Sequence, residues 1–197
     1  MAQPIAVAIT GGIGAGKSEA LAAFARHGAA TISSDEIVHR LLREDEDVRR
    51  ELMARFGERI LDEAGQIDRN AIAKIVFADR EALDWLERLL HPRVAREYLE
   101  WRYELGRLPN PPAVCVTEVP LLYEVGGDQR FDKVVVVTAP PEVRATRSNV
   151  IPAEREPRLL ADEEKAERAD FVYVNDASLE QLDEFVARVM AELTAPQ

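Results

Sequence analysis

The chain has 197 residues, 47% of them hydrophobic, enough for a substantial core near the upper end of single-domain size. Its 25 basic and 36 acidic residues leave a net charge of -11, which opposes the broad positive footprint of sequence-independent nucleic-acid binding. No apolar run approaches the roughly 20 residues that span a bilayer, and the lone Cys115 excludes an internal disulfide or a multi-cysteine zinc site. The expectation is a cytoplasmic protein with no nucleic-acid or membrane partner; any polyphosphate it binds must be held by locally concentrated positive potential.

The run Ile5 to Ile9 (IAVAI) is short, rich in branched residues and followed at once by glycines, the pattern of a buried parallel strand with a helix starting near Lys17. Between them, Gly11-Gly12-Ile13-Gly14-Ala15-Gly16-Lys17-Ser18 satisfies G-x-x-x-x-G-K-[ST] at every fixed position. Glycines let successive backbone amides converge on phosphate oxygens, and the helix behind them adds the positive end of its dipole. In this pattern Gly12 to Gly16 wrap the phosphates of ATP, Lys17 faces the β and γ phosphates, and Ser18 offers its hydroxyl to Mg²⁺. A nicotinamide-dinucleotide fingerprint starting at Gly12 and Gly14 would need glycine where Lys17 stands, so that reading fails.

A second strand is expected at Ala29 to Ile32 (AATI), and Asp35 follows it at the carboxyl edge of the sheet. A carboxylate there can take a proton from an acceptor hydroxyl; Ser34 or Asp35 can equally cap the helix over Ile37 to Leu42. From Asp35 to Gly106 no convincing strand appears while helical periodicity recurs, as in Leu83, Leu86, Leu89 and Leu90. This predicts an all-helical insertion over 36–112, with a break at His91-Pro92 and a rigid connector from Leu108 to Pro112.

Strands are then expected at Ala113 to Thr117, Lys133 to Thr138 and Phe171 to Val174, separated by helical stretches, so the fold class is α/β with a parallel sheet. The nucleotide-binding core would comprise 1–35 and 113–197. Glu118, directly after the strand Ala113 to Thr117, can support Mg²⁺ through water, bind an acceptor, or simply start a helix. Ser148 to Pro157 has two prolines and no periodicity and is expected to form a lid, reaching to about residue 162. Arg144, Arg147, Arg155 and Arg158 flank it, and one or more of them can meet the transferring phosphate or simply face solvent. Ser178 and Gln181 form a capping-box pattern before a final amphipathic helix.

Several ordered blocks resemble the dephospho-coenzyme A kinase family, from Ala8 to about Leu182. Thr10 to Ser18 (TGGIGAGKS) is similar to the family's TGGIGSGKS, Ser33 to Glu36 (SSDE) to DADE, and Phe56-Gly57 with Gly65 to Arg69 (GQIDR) to FG and DGxLDR. Val76-Phe77, Leu90-His91-Pro92, Val119 to Glu124 (VPLLYE) and Ala169 to Val172 with Asn175 follow in family order. The resemblance implies a P-loop kinase core, a helical coenzyme-binding insertion and a lid, with transfer of the γ-phosphate of ATP to the ribose 3′-hydroxyl of dephospho-coenzyme A. It makes Asp35 the base, with Lys17 and Arg147 beside it in catalysis, and puts Arg69, His91, Glu118 and Leu121 at the acceptor. Ser33 and Glu118 replace family aspartates, and Arg144 to Leu159 is shorter than the family lid and lacks its glutamine. The rivals are a related kinase of another nucleoside or small alcohol, and a nucleotide-binding regulator that has lost transfer activity.

Overall fold

The computed structural model describes residues 3–147, 160–176 and 178–195. The first apolar run forms β1 (Ile5–Thr10), and α1 (Lys17–Arg26) begins where the glycines end. With β2 (Ala30–Ser33), β3 (Val114–Glu118), β4 (Lys133–Thr138) and β5 (Phe171–Val174), the described residues make one five-stranded sheet in the order β2-β3-β1-β4-β5. Every pairing is parallel. β3 is buried along its whole length and β1 from Ala6 onward, as expected of central strands covered on both faces.

Side-chain alternation divides the apolar residues between those faces. On one, Val7, Ile9, Val116, Val135 and Val137 pack with Phe24 of α1 and with Leu182, Val186 and Val189 of α8 (Leu179–Thr194). On the other, Ala8, Val134 and Val136 pack with Leu122 and Tyr123, which lie in the turns after β3. Ser178 caps α8 by accepting from the Gln181 amide at 3.3 Å, as the sequence pattern predicts. Strands β2 and β3 each end one residue later than their hydrophobicity suggests, because Ser33 and Glu118 still face each other in the ladder.

The chain divides into two compact units, one of Met1–Ser34 with Trp101–Gln197 and the other Asp35–Glu100. The second is helical: α2 (Ser34–Glu44), α3 (Glu46–Phe56), α4 (Arg69–Ala78) and most of α5 (Arg80–Leu105). Asp45 and Asp68 cap α3 and α4 through their carboxylates, and Phe56 meets the edge of Trp85 with ring centroids 5.4 Å apart. The break expected at His91-Pro92 is absent, since α5 runs through Pro92. Proline removes one helical hydrogen bond, but the buried Leu89, Leu90 and Tyr98 hold the helix together on both sides of it. The Arg93 guanidinium donates to the Leu89 carbonyl at 2.7 Å and to Glu51 at 3.0 Å, tying the turn that contains the proline to α3.

In the sheet unit, α1 and α8 are joined at their solvent edge by Asp183. Arg26 donates to its Oδ1 at 3.0 and 2.8 Å, and His27 Nε2 lies 2.9 Å from Oδ2. The Arg26 hydrogen bonds, followed by that of His27, hold the Asp183 carboxyl below its usual range. A carboxyl whose pKa is lower folded than unfolded stabilises the fold above its unfolded pKa and loses that contribution as pH falls through the folded value. Asp183→Asn therefore lowers the melting temperature slightly near neutral pH, and the gap from the parent closes on acidification through the carboxylate range. Thermal melts of both proteins from pH 7 to pH 3 read this directly, and a pH-independent gap contradicts it.

Candidate active site

The loop between β1 and α1 is shaped by its neighbours as well as by its glycines. Gly11 has φ 141° and lies so close to β4 that a Cβ would run into the Val137 carbonyl oxygen. Gly16 precedes α1 in the left-handed region at φ 96°, with no side-chain cap, which leaves the first amides of α1 directed at the loop. Such a helix start is a natural anion site. Lys17 folds back over the loop, its Nζ donating to the Gly12 carbonyl at 3.0 Å.

Ser18, in the first turn of α1, donates its hydroxyl to Glu118 Oε2 at 3.1 Å. Glu118 is a buried residue at the carboxyl end of β3, opposite Ile9 in the ladder. Sheet order thus puts a hydroxyl and a carboxylate beside the phosphate loop, a pair of hard oxygen donors that could share a divalent cation with phosphate oxygens. Among the described residues no three His, Cys, Asp or Glu side chains cluster as a metal cage.

Two arginines come from α6 (Pro141–Arg147), which follows β4. Arg144 Nη1 pairs with Asp162 Oδ2 at 3.0 Å, at the start of α7 (Asp162–Glu167). A Cβ built on Gly12 would be 2.5 Å from that Nη1 and 2.9 Å from that Oδ2, so the ion pair rests on the loop. Arg147 Nη1 is 3.5 Å from the Asn175 carbonyl and 3.7 Å from a Cβ on Gly16. One cation thus stands at each end of the loop. Arg155, Arg158 and the rest of the expected lid up to residue 159 lie outside the described residues.

The turn after β3 holds half-buried Leu121 beside buried Leu122. Glu124 at its end accepts from Lys165 at 2.8 Å and from the Leu160 amide at 3.1 Å, with the Lys165 side chain 1% exposed. Nothing in the sequence distinguishes Lys165 from the charged residues around it, so only the fold reveals this buried pair. Asn175 is a second residue whose contact is not readable from sequence: its side-chain amide reaches the Ala15 carbonyl at 2.8 Å. Burial pushes the Cys115 thiol up to about 11, so it is protonated at neutral pH and unreactive.

The remaining expected residues belong to the helical unit. Asp35 is exposed in the first turn of α2, inside the helix and not at its cap. Arg69 is exposed and its Nη1 lies 2.9 Å from His39 Nδ1. His91 is exposed in α5. Lys17, Ser18, Glu118, Leu121, Arg147 and the loop glycines lie in the sheet unit.

A parallel sheet with β1 at its centre, a glycine loop opening α1, and a lysine and a serine–carboxylate pair at that loop define a P-loop phosphotransferase of the small-molecule kinase class. A family model described as dephospho-CoA kinase matches residues 5–181. Dephospho-CoA kinase of Protochlamydia amoebophila is 36% identical over 195 residues, covering 95% of each chain. That of Thermus thermophilus is 37% identical over 200 residues, covering 97% of this chain and 93% of its own. The structure of dephospho-CoA kinase from Campylobacter jejuni superposes with a TM-score of 0.71 at 27% identity, covering 96% of each chain. The chain belongs to the dephospho-CoA kinase family.

The contact between Ser18 and Glu118 generates a specific expectation. Glu118→Gln keeps the size and the hydrogen bond but removes the charge; a divalent cation shared by this pair would then be needed at about 10- to 100-fold higher concentration for half-maximal turnover, in a protein that still folds. Titrating Mg²⁺ at fixed ATP measures this, and an unaltered requirement separates Glu118 from the metal.

Proposed function

We infer that the chain transfers the γ-phosphate of ATP to the ribose 3′-hydroxyl of dephospho-coenzyme A, giving coenzyme A and ADP, the last step of coenzyme A biosynthesis. The observation that carries this reading is the convergence of Lys17, Ser18 and Glu118 on the phosphate loop, in a chain matched by its family model from residue 5 to residue 181. The acceptor class follows from the family; the donor class follows from the loop.

Loop amides and the start of α1 hold the β and γ phosphates, and Lys17 exchanges the Gly12 carbonyl for phosphate oxygens. The oxygen donors Ser18 and Glu118 fit Mg²⁺ and would hold it beside ATP, where it would neutralise charge on the transferring phosphate. Asp35, two residues beyond the end of β2, takes the proton of the 3′-hydroxyl as it attacks in line, without a covalent enzyme intermediate. Residues 36–112 form the coenzyme-binding part, with Arg69 and His91, and with Leu121 and Glu118 from the core, as acceptor contacts. Arg147 meets the transferring phosphate: its described bond is long, whereas Arg144 is already paired with Asp162. The reaction belongs in the cytoplasm; no helix among the described residues is long and apolar enough to cross a membrane.

A panel of dephospho-coenzyme A, adenosine, nucleoside monophosphates and shikimate, assayed by ADP release, tests the assignment. Dephospho-coenzyme A gives the fastest turnover; equal turnover of another acceptor points to a related kinase, and ATP binding without any turnover points to a regulator. Asp35→Asn binds both ligands and loses about 10²- to 10⁴-fold in turnover, whereas retained turnover in this variant removes Asp35 from catalysis. Arg147→Lys replaces a two-pronged donor by a point charge, so turnover falls more than ATP affinity; the reverse order assigns Arg147 to ground-state binding.

A further inference from the structure

A loop that binds anions through backbone amides needs the N–H groups that face the anion to be held in that orientation. A flipped peptide would set a carbonyl dipole against the phosphates. The peptide joining Ala15 to Gly16 meets no Cβ on its glycine side that would bar such a flip, since Gly16 stands at φ 96°. Ala15 is fully buried, so its carbonyl needs a partner away from water.

That partner is the side chain of Asn175. Its Nδ2 donates to the Ala15 carbonyl at 2.8 Å in a buried contact, and Asn175 itself is 4% exposed. The Asn175 backbone N–H donates to the Thr138 carbonyl at 2.7 Å, fixing the residue between the ends of β5 and β4. A Cβ on Gly16 would overlap Nδ2, so asparagine fills the space the glycine leaves. We propose that Asn175 is a positioning residue for ATP: its side-chain amide locks the Ala15–Gly16 peptide with the N–H of Gly16 facing the bound phosphates. This rests on the phosphate-loop reading above and adds to it a residue that need not touch nucleotide.

The test compares the parent with Asn175→Leu, which keeps the volume but has no donor, and with Asn175→Asp, which donates to a carbonyl only when protonated. In Asn175→Leu the KM for ATP and the Kd for ADP rise about 10- to 100-fold and the KM for dephospho-coenzyme A is unchanged; the nucleotide-free melting temperature falls, because the buried Ala15 carbonyl loses its partner, but the protein stays folded at the assay temperature. In Asn175→Asp the ATP affinity relative to the parent declines as pH rises through titration of the new carboxyl. Parental nucleotide affinity in both variants overturns the proposal, as does a loss of folding in both that nucleotide affinity merely follows. A parent that binds no ATP instead sinks the phosphate-loop reading, so the two failures are distinguishable.

Discussion

An anion as dense as a triphosphate can be held by a chain of net charge -11 only where positive potential is concentrated locally, and aligned backbone dipoles supply it without formal charge. The turn between β1 and α1 meets that constraint with neutral groups, and much of the surrounding structure serves to keep those groups aligned. Gly11 lets the chain pass against the Val137 carbonyl, Gly16 admits the left-handed entry into α1, and Asn175 takes the Ala15 carbonyl out of the way. The position of β1 between β3 and β4 makes this possible, since both neighbours reach the loop from the sides.

Formal charge is then added sparingly, and most of it is compensated. Arg144 is matched by Asp162 where the pair lies on Gly12, and Lys165 by Glu124 beneath α7. Burying an ion pair such as the second contributes little net stability, because desolvation offsets most of the attraction, but losing one partner leaves an uncompensated charge. The Glu124–Lys165 pair fixes α7 to the turn after β3, so the helix that carries Asp162 and the turn that carries Leu121 share one anchor.

Legibility in the sequence followed the range of the interaction involved. β4, β5 and the start of α1 coincide with their expected limits because hydrophobic runs bounded by polar residues, and glycine followed by a helix former, are local signals. Ser33 and Glu118 extend their strands because ladder register is set by the partner strand, which a polar side chain does not announce. Pro92 misleads for a similar reason: local chemistry favours a break, and burial on either side of it overrides that preference. The glycine turn between β1 and α1 was legible from its motif, whereas the side chain that bonds it was not, because Asn175 lies 160 positions from the carbonyl it meets.

That separation has a consequence for biosynthesis. The loop leaves the ribosome 160 residues ahead of Asn175, so at about 5–20 residues per second it waits on the order of 10–30 s for its partner. During that interval Gly16 has no restraint from β5, and the nascent chain has not yet built the surface that nucleotide requires. Ligand can therefore stabilise the site only once synthesis has passed Asn175, and a product truncated before β5 would keep the whole glycine–lysine–serine motif yet lack the part that orients it.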